Sequence, residues 1–306
     1  MTLYPCAKIN LGLNIVGKRE DGYHNLETVF YPIPLCDTLS VAVADEDVPS
    51  DFPCELKITG NAIDCNEQDN LVVKAYNLLA KDFALPRIKA CLHKQIPSQA
   101  GLGGGSSDAA YMLRLLNEQF ELNISTAQLQ QYAARLGADC AFFVTAKPSF
   151  ATGIGEILSP LETVKSQLKG LHLLLVKPET SITTKEAFAH IVPQKPKKSC
   201  REVVGLPIET WKEELTNDFE NSVFAQHPEL AEIKTSLYRL GAVYAQMSGS
   251  GSTVFGFFKS PPDEEETRRF FPNCFTSQTV VGAYLRDAPP ICFPAYNGCR
   301  SEIGTY

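Results

Sequence analysis

Four glycines in five positions, followed by two serines, are the strongest chemical signal in this chain: Pro97-Ser98-Gln99-Ala100-Gly101-Leu102-Gly103-Gly104-Gly105-Ser106-Ser107. Glycine backbone reaches conformations closed to other residues and can approach a ligand closely. Its amides can turn inward as an anion-binding nest. A helix is expected directly behind, from Asp108 to Gln119, and its first turn adds unpaired N–H groups and the positive end of its dipole. The hydroxyls of Ser106 and Ser107 suit phosphate oxygens, so the combination asks for a polyphosphate. It is not a Walker A loop, because Ser106 rather than lysine follows Gly105. The dinucleotide pattern fails where Ser106 replaces its last glycine, and neither H-R-D nor D-F-G occurs. The competing reading is a flexible linker, which its place between a strand and an amphipathic helix disfavours.

Other residues extend that chemistry. Lys94 stands three residues before the loop, near enough to serve phosphates. Ser248-Gly249-Ser250-Gly251-Ser252 offers further amides to the same anion, although a plain hairpin turn accounts for these glycines equally well. Tyr23 and His24 suit a nucleobase, the ring by stacking and the imidazole by reading an edge. After Asp21-Gly22 the same pair also suits a hairpin corner. None of the ten cysteines is spaced C-x-x-C, so buried unpaired thiols are expected, with no zinc site and no disulfide framework.

The elements that must position these groups read as mixed α and β. Strands are expected over 9–16, 38–43, 54–59, 88–94 and 171–176, with a hairpin formed by 242–247 and 253–258. Helices are expected over 71–83, with Asp69 or Asn70 as cap, over 108–119, from a Ser125 or Thr126 cap to Leu136, and over 228–240. Gly137 is placed as the residue that ends the third helix, 193–207 as a loop, and an acidic helix from Asp263. A length of 306 residues favours two domains. A formal charge of −7 and the lack of a basic face exclude a duplex nucleic-acid binder. The longest apolar run is too short to cross a bilayer, and the first residues show no secretory leader, so a cytoplasmic protein is expected.

Pro97 to Ala110, P-S-Q-A-G-L-G-G-G-S-S-D-A-A, resembles the phosphate-binding motif of the GHMP kinases (galacto-, homoserine, mevalonate and phosphomevalonate kinases). Residues 7–13, 21–30, 137–143 with 151–156, and 247–252 resemble further motifs of one branch, which phosphorylates a cytidine diphosphate conjugate of methylerythritol in non-mevalonate isoprenoid synthesis. The resemblance implies an α/β (α+β) fold. Residues 1–160 would form an N-terminal domain like ribosomal protein S5 domain 2, and 161–287 a ferredoxin-like C-terminal domain. A peripheral tail, 288–306, has no counterpart in the pattern. The resemblance implies Asp139 as catalytic base and Lys8 as its partner; taken alone, these are equally a solvated turn residue and a strand-edge charge.

By the same resemblance ATP, with Mg²⁺ whose protein ligands no motif names, would meet the loop from Pro97 to Ser107 together with Asn70, Leu71 and Lys94. The acceptor would meet Asn10, Tyr23, His24, Thr183 and Phe188, the last two through a segment where the alignment allows a slip. The implied partner is a small-molecule substrate, with no nucleic acid or membrane, and the chain a monomer or homodimer. Ser98-Gln99, Gly12 and Cys140-Ala141 depart from the branch pattern, which bears on loop shape and affinity. A homoserine- or mevalonate-type kinase, or a non-catalytic sensor on the same scaffold, are the competing functions.

Overall fold

The computed structural model describes residues 1–45, 52–61 and 66–282. The chain opens with strands β1 (Thr2–Leu3), β2 (Cys6–Lys18), β3 (His24–Cys36), β4 (Thr38–Val43) and β5 (Cys54–Gly60). Then follow α1 (Leu71–Leu79), β6 (Ile88–Lys94), α2 (Gly104–Gln119), α3 (Thr126–Ala134), α4 (Cys140–Phe143), β7 (Ser149–Thr152) and β8 (Ile157–Pro160). The remainder contains α5 (Val164–Leu168), β9 (His172–Lys177), α6 (Thr184–Phe188), α7 (Cys200–Val203), α8 (Trp211–Glu214), α9 (Phe219–Gln226) and α10 (Pro228–Arg239). It closes with β10 (Tyr244–Met247), β11 (Val254–Phe258), α11 (Glu264–Phe270) and β12 (Phe275–Val280).

Three four-stranded sheets result, in the orders β1-β4-β6-β5, β2-β3-β7-β8 and β10-β11-β9-β12. The last is wholly antiparallel, with helices between its first and second and its third and fourth strands in sequence, the ferredoxin-like βαββαβ arrangement. In the first sheet β5 runs parallel to β6 and the other pairs are antiparallel. The long β2 is buried from Cys6 to Ile15. A strand covered on both faces reads as a near-continuous apolar run, which is why only Lys8, Asn10 and Asn14 interrupt it with long polar side chains. Ala7, Ile9 and Leu11 enter one core with Leu173, Leu175, Phe255 and Phe257, while Leu13 and Ile15 join another with Leu174, Val176 and Leu237. A third core packs α1 and α2 on the first sheet through Leu79, Leu92, Met112 and Leu116.

Local signals account for many boundaries. The Asn70 side chain caps α1 by accepting from the Val72 amide at 2.9 Å. Ser125 and Gln128 form a capping box on α3. Four expected element bounds need correction. Helix α1 stops at Leu79 rather than at residue 83. Helix α2 begins at Gly104 rather than Asp108, drawing two glycines and both serines of the loop into its first turn. Glycine costs about 1 kcal/mol per helical position, so the sequence pattern hides this onset, and packing overrides it. Helix α3 stops at Ala134, and Gly137 is not left-handed; main-chain bonds from Leu136 and Gly137 to Ala133 O finish the turn. The segment 193–207 contains α7, announced by the Ser199/Glu202 capping box that its prolines and lysines obscured.

Burial pushes the thiols of Cys6 and Cys140 up to about 11, and those of Cys54 and Cys200 up to about 12. Cys91 departs from the expectation of unpaired thiols and is disulfide-bonded. The tail 288–306 lies outside the described residues.

Candidate active site

Lys8 comes from the middle of the molecule, where β2 passes under the glycine loop. Its amide donates to Leu102 O at 2.9 Å, which fixes the loop directly over the strand. Its ammonium donates to Asn10 Oδ1 at 2.6 Å and to Gly101 O at 3.0 Å, and stands 3.5 Å from Asp139 Oδ2. It also lies 5.4 Å above the Phe30 ring. Lys8 is buried, whereas a third of the Asp139 side chain remains exposed. Burial lowers the Lys8 pKa from its ordinary value and the Asp139 carboxylate pulls it back up. Asp139 sits at the head of the four-residue α4, but its carboxylate does not cap that helix, so one side faces the ammonium and another faces solvent.

Asn10 is held in turn. Its Nδ2 donates to Thr28 Oγ1 at 2.9 Å, and that hydroxyl donates to Gly12 O at 2.6 Å. Gly12 is a left-handed bulge in β2, with φ +70°, and a β-carbon there would fall 2.7 Å from Cys200 Cβ and Leu215 Cδ1. Glycine at this departure from the branch pattern is therefore required by α7 and the segment after α8.

The loop is shaped by left-handed Gly101 and Gly103, with φ +69° and +71°. Ala100 and Leu102 are buried, so they can offer a ligand main chain only. Pro97 is half-buried, and Ser98 and Gln99 are exposed at the rim. Gly104, Gly105 and Ser106 open α2 at the surface, while Ser107 is fully buried and its hydroxyl has no hydrogen-bond partner among the described residues. Leu71 borders this turn, its Cδ1 lying 3.9 Å from where a Gly105 β-carbon would stand. The Ser248–Ser252 turn closes on the same place. Ser248 Oγ accepts from the Asn10 amide at 3.3 Å and donates to Gly101 O at 2.9 Å, and the Thr253 amide donates to Ala100 O at 3.2 Å. A Gly249 β-carbon would stand 3.4 Å from Lys8 Nζ.

Lys94 is placed otherwise than its spacing suggested. Its ammonium is buried between Asp37 and Asp108, so it cannot be presented to a phosphate. Asn70 is buried as a helix cap.

At the far end, Asp21 shapes the β2–β3 corner by accepting from the Tyr23 amide at 3.1 Å while Arg19 grips both of its oxygens. Tyr23 is 61% exposed, an open aromatic face. His24 and Phe188 stack with centroids 4.9 Å apart, and Phe219 meets Phe188 edge-on at 4.8 Å. Thr183 caps the helix that carries Phe188 by accepting from the Glu186 amide at 3.2 Å. The fold thus joins Lys8, Asn10, Asp139, the loop and the second glycine turn in one place, and His24 with Phe188 in another.

Sequence reasoning passed over Thr28, Asp37 and Asn217. Asn217 Nδ2 holds Met247 O and Gly249 O, both at 2.8 Å, and so shapes the second turn. No spacing marks these residues, because their partners lie far away in the chain. Among the described residues no group of three or more His, Cys, Asp or Glu could hold a metal ion. No helix among them is long and apolar enough to cross a membrane.

Comparison with known proteins finds similarity to one family across most of the chain. The model of the GHMP kinases N terminal domain matches residues 70–147, and that of the GHMP kinases C terminal matches 205–276. A 4-diphosphocytidyl-2-C-methyl-D-erythritol kinase of Bacteroides thetaiotaomicron is 55% identical over 267 residues, 87% of this chain and 95% of that protein. One of Parabacteroides distasonis is 46% identical, covering 90% of this chain and 97% of that protein. A crystal structure of 4-(cytidine 5'-diphospho)-2C-methyl-D-erythritol kinase superposes with a TM-score of 0.75 at 29% identity, covering 91% of this chain and 98% of that one. A homoserine kinase from Cytophaga hutchinsonii shares the fold, with a TM-score of 0.61 at 14% identity over 90% and 93% of the two chains.

Proposed function

The chain belongs to the GHMP kinases, and from that membership we propose that it uses ATP to phosphorylate the 2-hydroxyl of 4-diphosphocytidyl-2-C-methyl-D-erythritol, giving the 2-phosphate and ADP for non-mevalonate isoprenoid synthesis. The observation that carries the reading is the Lys8–Asp139 pair at 3.5 Å, set against the glycine loop by the Lys8 bond to Gly101 O.

Asp139 accepts the proton of the acceptor hydroxyl as the oxygen bonds to the γ-phosphorus. The bond from that phosphorus to the β,γ-bridging oxygen breaks, and its electron pair leaves with ADP. Lys8 orients the hydroxyl and offsets charge on the transferring group, a contribution that is larger in a buried site. Asn10, fixed by Thr28, keeps the ammonium aimed. MgATP is the donor substrate, its phosphates held by amides from Gly101 to Ser106 and by those of Gly249 and Ser250 in the second turn, with the ion carried on the phosphates. The exposed Tyr23 ring receives the cytosine by stacking, with His24 and Phe188 reading and flanking it and Thr183 near the sugar alcohol.

In this reading residues 1–160 carry the donor loop and the base, 161–287 close the acceptor side, and the enzyme works in the cytoplasm as a monomer or homodimer. The base-binding corner separates this assignment from a homoserine or mevalonate kinase, whose acceptors carry no nucleobase. ADP release measured with the cytidyl acceptor tests it. Asp139→Asn should lower kcat by about 10²–10⁴-fold in a protein whose circular dichroism spectrum stays that of the folded wild type. Equal rates in both proteins refute the base, and homoserine accepted in place of the cytidyl compound refutes the substrate.

A further inference from the structure

Beneath the glycine loop lies a knot of charge that the mechanism above does not use. Lys94 Nζ, at the end of β6, donates to Asp37 in the β3–β4 junction and to Asp108 Oδ2 of α2, the latter at 2.6 Å. Asp37 Oδ1 also accepts the amides of Gln95 at 2.6 Å and Ile96 at 2.9 Å, the two residues that lead into the loop. All three charged side chains are shut off from solvent, with Asp37 at 0%, Asp108 at 2% and Lys94 at 4% exposure. A β-carbon on Gly104 would lie 3.4 Å from Lys94 Nζ, so the ammonium sits directly against the residue that opens α2.

Two carboxyls share one ammonium here. Were both ionised, a buried net negative charge would stand beside the helix end that meets the nucleotide phosphates, at a high desolvation cost. The hydrogen bonds break the symmetry between them. Asp37 takes two main-chain amides and the ammonium, whereas Asp108 takes no amide and its Oδ1 has no hydrogen-bond partner among the described residues. Burial first, and then the neighbouring Asp37 charge, push the Asp108 carboxyl well above the ordinary carboxylate range against the pull of Lys94. The charged groups acting on Asp108 are these two, Asp37 and Lys94.

We propose that Asp37, Lys94 and Asp108 are positioning residues for the donor nucleotide: a buried, hydrogen-bonded cluster that sets the pose of residues 95–104 under the phosphates. The cluster ties the loop's entry to α2. The proposal rests on the glycine loop being the donor site.

Its test is nucleotide affinity measured without acceptor, by calorimetric titration with MgATP, beside circular dichroism melts and a separate wild-type turnover assay. Asp108→Asn preserves the shape of the carboxyl and an oxygen for its single ammonium bond, and should hold affinity within about threefold. Asp37→Asn leaves one acceptor oxygen for three donors and should weaken affinity at least tenfold, with the KM of the acceptor unchanged. If Asp37→Asn does not fold, Lys94→Met replaces it with the same expectation. Asp108→Asn weakening affinity as much as Asp37→Asn overturns the proposal, as does an Asp37→Asn protein that binds like wild type. Wild-type protein that binds nucleotide but fails to phosphorylate the cytidyl acceptor removes the proposed function and leaves the cluster to be judged by its variants.

Discussion

Gly101 is where the two glycine turns meet, and replacing it with alanine measures how closely they must meet. The added β-carbon would lie 2.0 Å from Ser248 O and 3.1 Å from Gly251 O. Both are main-chain atoms, so neither can rotate away, and one turn must retreat by about 1 Å or more before the contact is tolerable. The φ of +69° adds about 1–2 kcal/mol for a residue bearing a side chain, and overpacking adds about 1–3 kcal/mol. Retreat would also pull Gly101 O from Lys8 Nζ and from Ser248 Oγ, the bonds that aim the ammonium. A misplacement of about 1 Å at a reacting centre can cost about 10²-fold in rate, so Gly101→Ala should lose that much kcat/KM and lower the thermal midpoint. Gly105→Ala is the control for stability. Its β-carbon finds only Leu71 Cδ1 at 3.9 Å, so the melt should rise by the equivalent of about 0.4–1 kcal/mol. ADP release and a thermal melt on both variants decide the matter. A folded Gly101→Ala enzyme within threefold of wild-type kcat/KM would refute the claim that the turns touch functionally.

Two further outcomes follow from the site. Burial holds the Lys8 pKa below its ordinary 10.5, so its charge is lost as pH rises through that lowered value. The alkaline limb of kcat should fall below 10.5, and Lys8→Arg, which keeps its charge, should move that limb upward while slowing turnover; an unmoved limb sinks the assignment. Asn217→Ala removes two donor bonds to the second turn and one acceptor bond from the Phe219 amide at 3.0 Å. At about 1 kcal/mol per bond, denaturant unfolding should show a loss of about 3 kcal/mol, and a loss below about 0.5 kcal/mol would contradict the bonding described.

How much of this was legible depended on the range over which each signal acts. Strand β6 runs from Ile88 to Lys94 as its alternation predicts, and Asn70 and Ser125 cap helices as their side chains predict, because those preferences are local. The onset of α2 at Gly104 was hidden because four glycines argue locally against a helix that tertiary packing imposes. Lys94 read as a phosphate ligand because it precedes the loop, while the carboxylates that claim it belong to Asp37, at the head of the neighbouring strand β4, and to Asp108 of α2. Residue types alone also left Lys8 and Asp139 as ordinary surface charges; their pairing became readable through the family motifs, and the geometry puts them 3.5 Å apart.

The core shared by the two halves has a consequence for how the gene can be cut. Ala7, Ile9 and Leu11 pack with Leu173, Leu175, Phe255 and Phe257, and the Leu13 amide bonds Thr216 O at 2.9 Å. A polypeptide severed near residue 160 would yield two fragments, each with half of an interior facing water. Such fragments are suited to reassembly on mixing rather than to separate life. Likewise, a chimera that borrows its second half from a distant relative must inherit matching partners for β2, or it will lose its fold before it loses its chemistry.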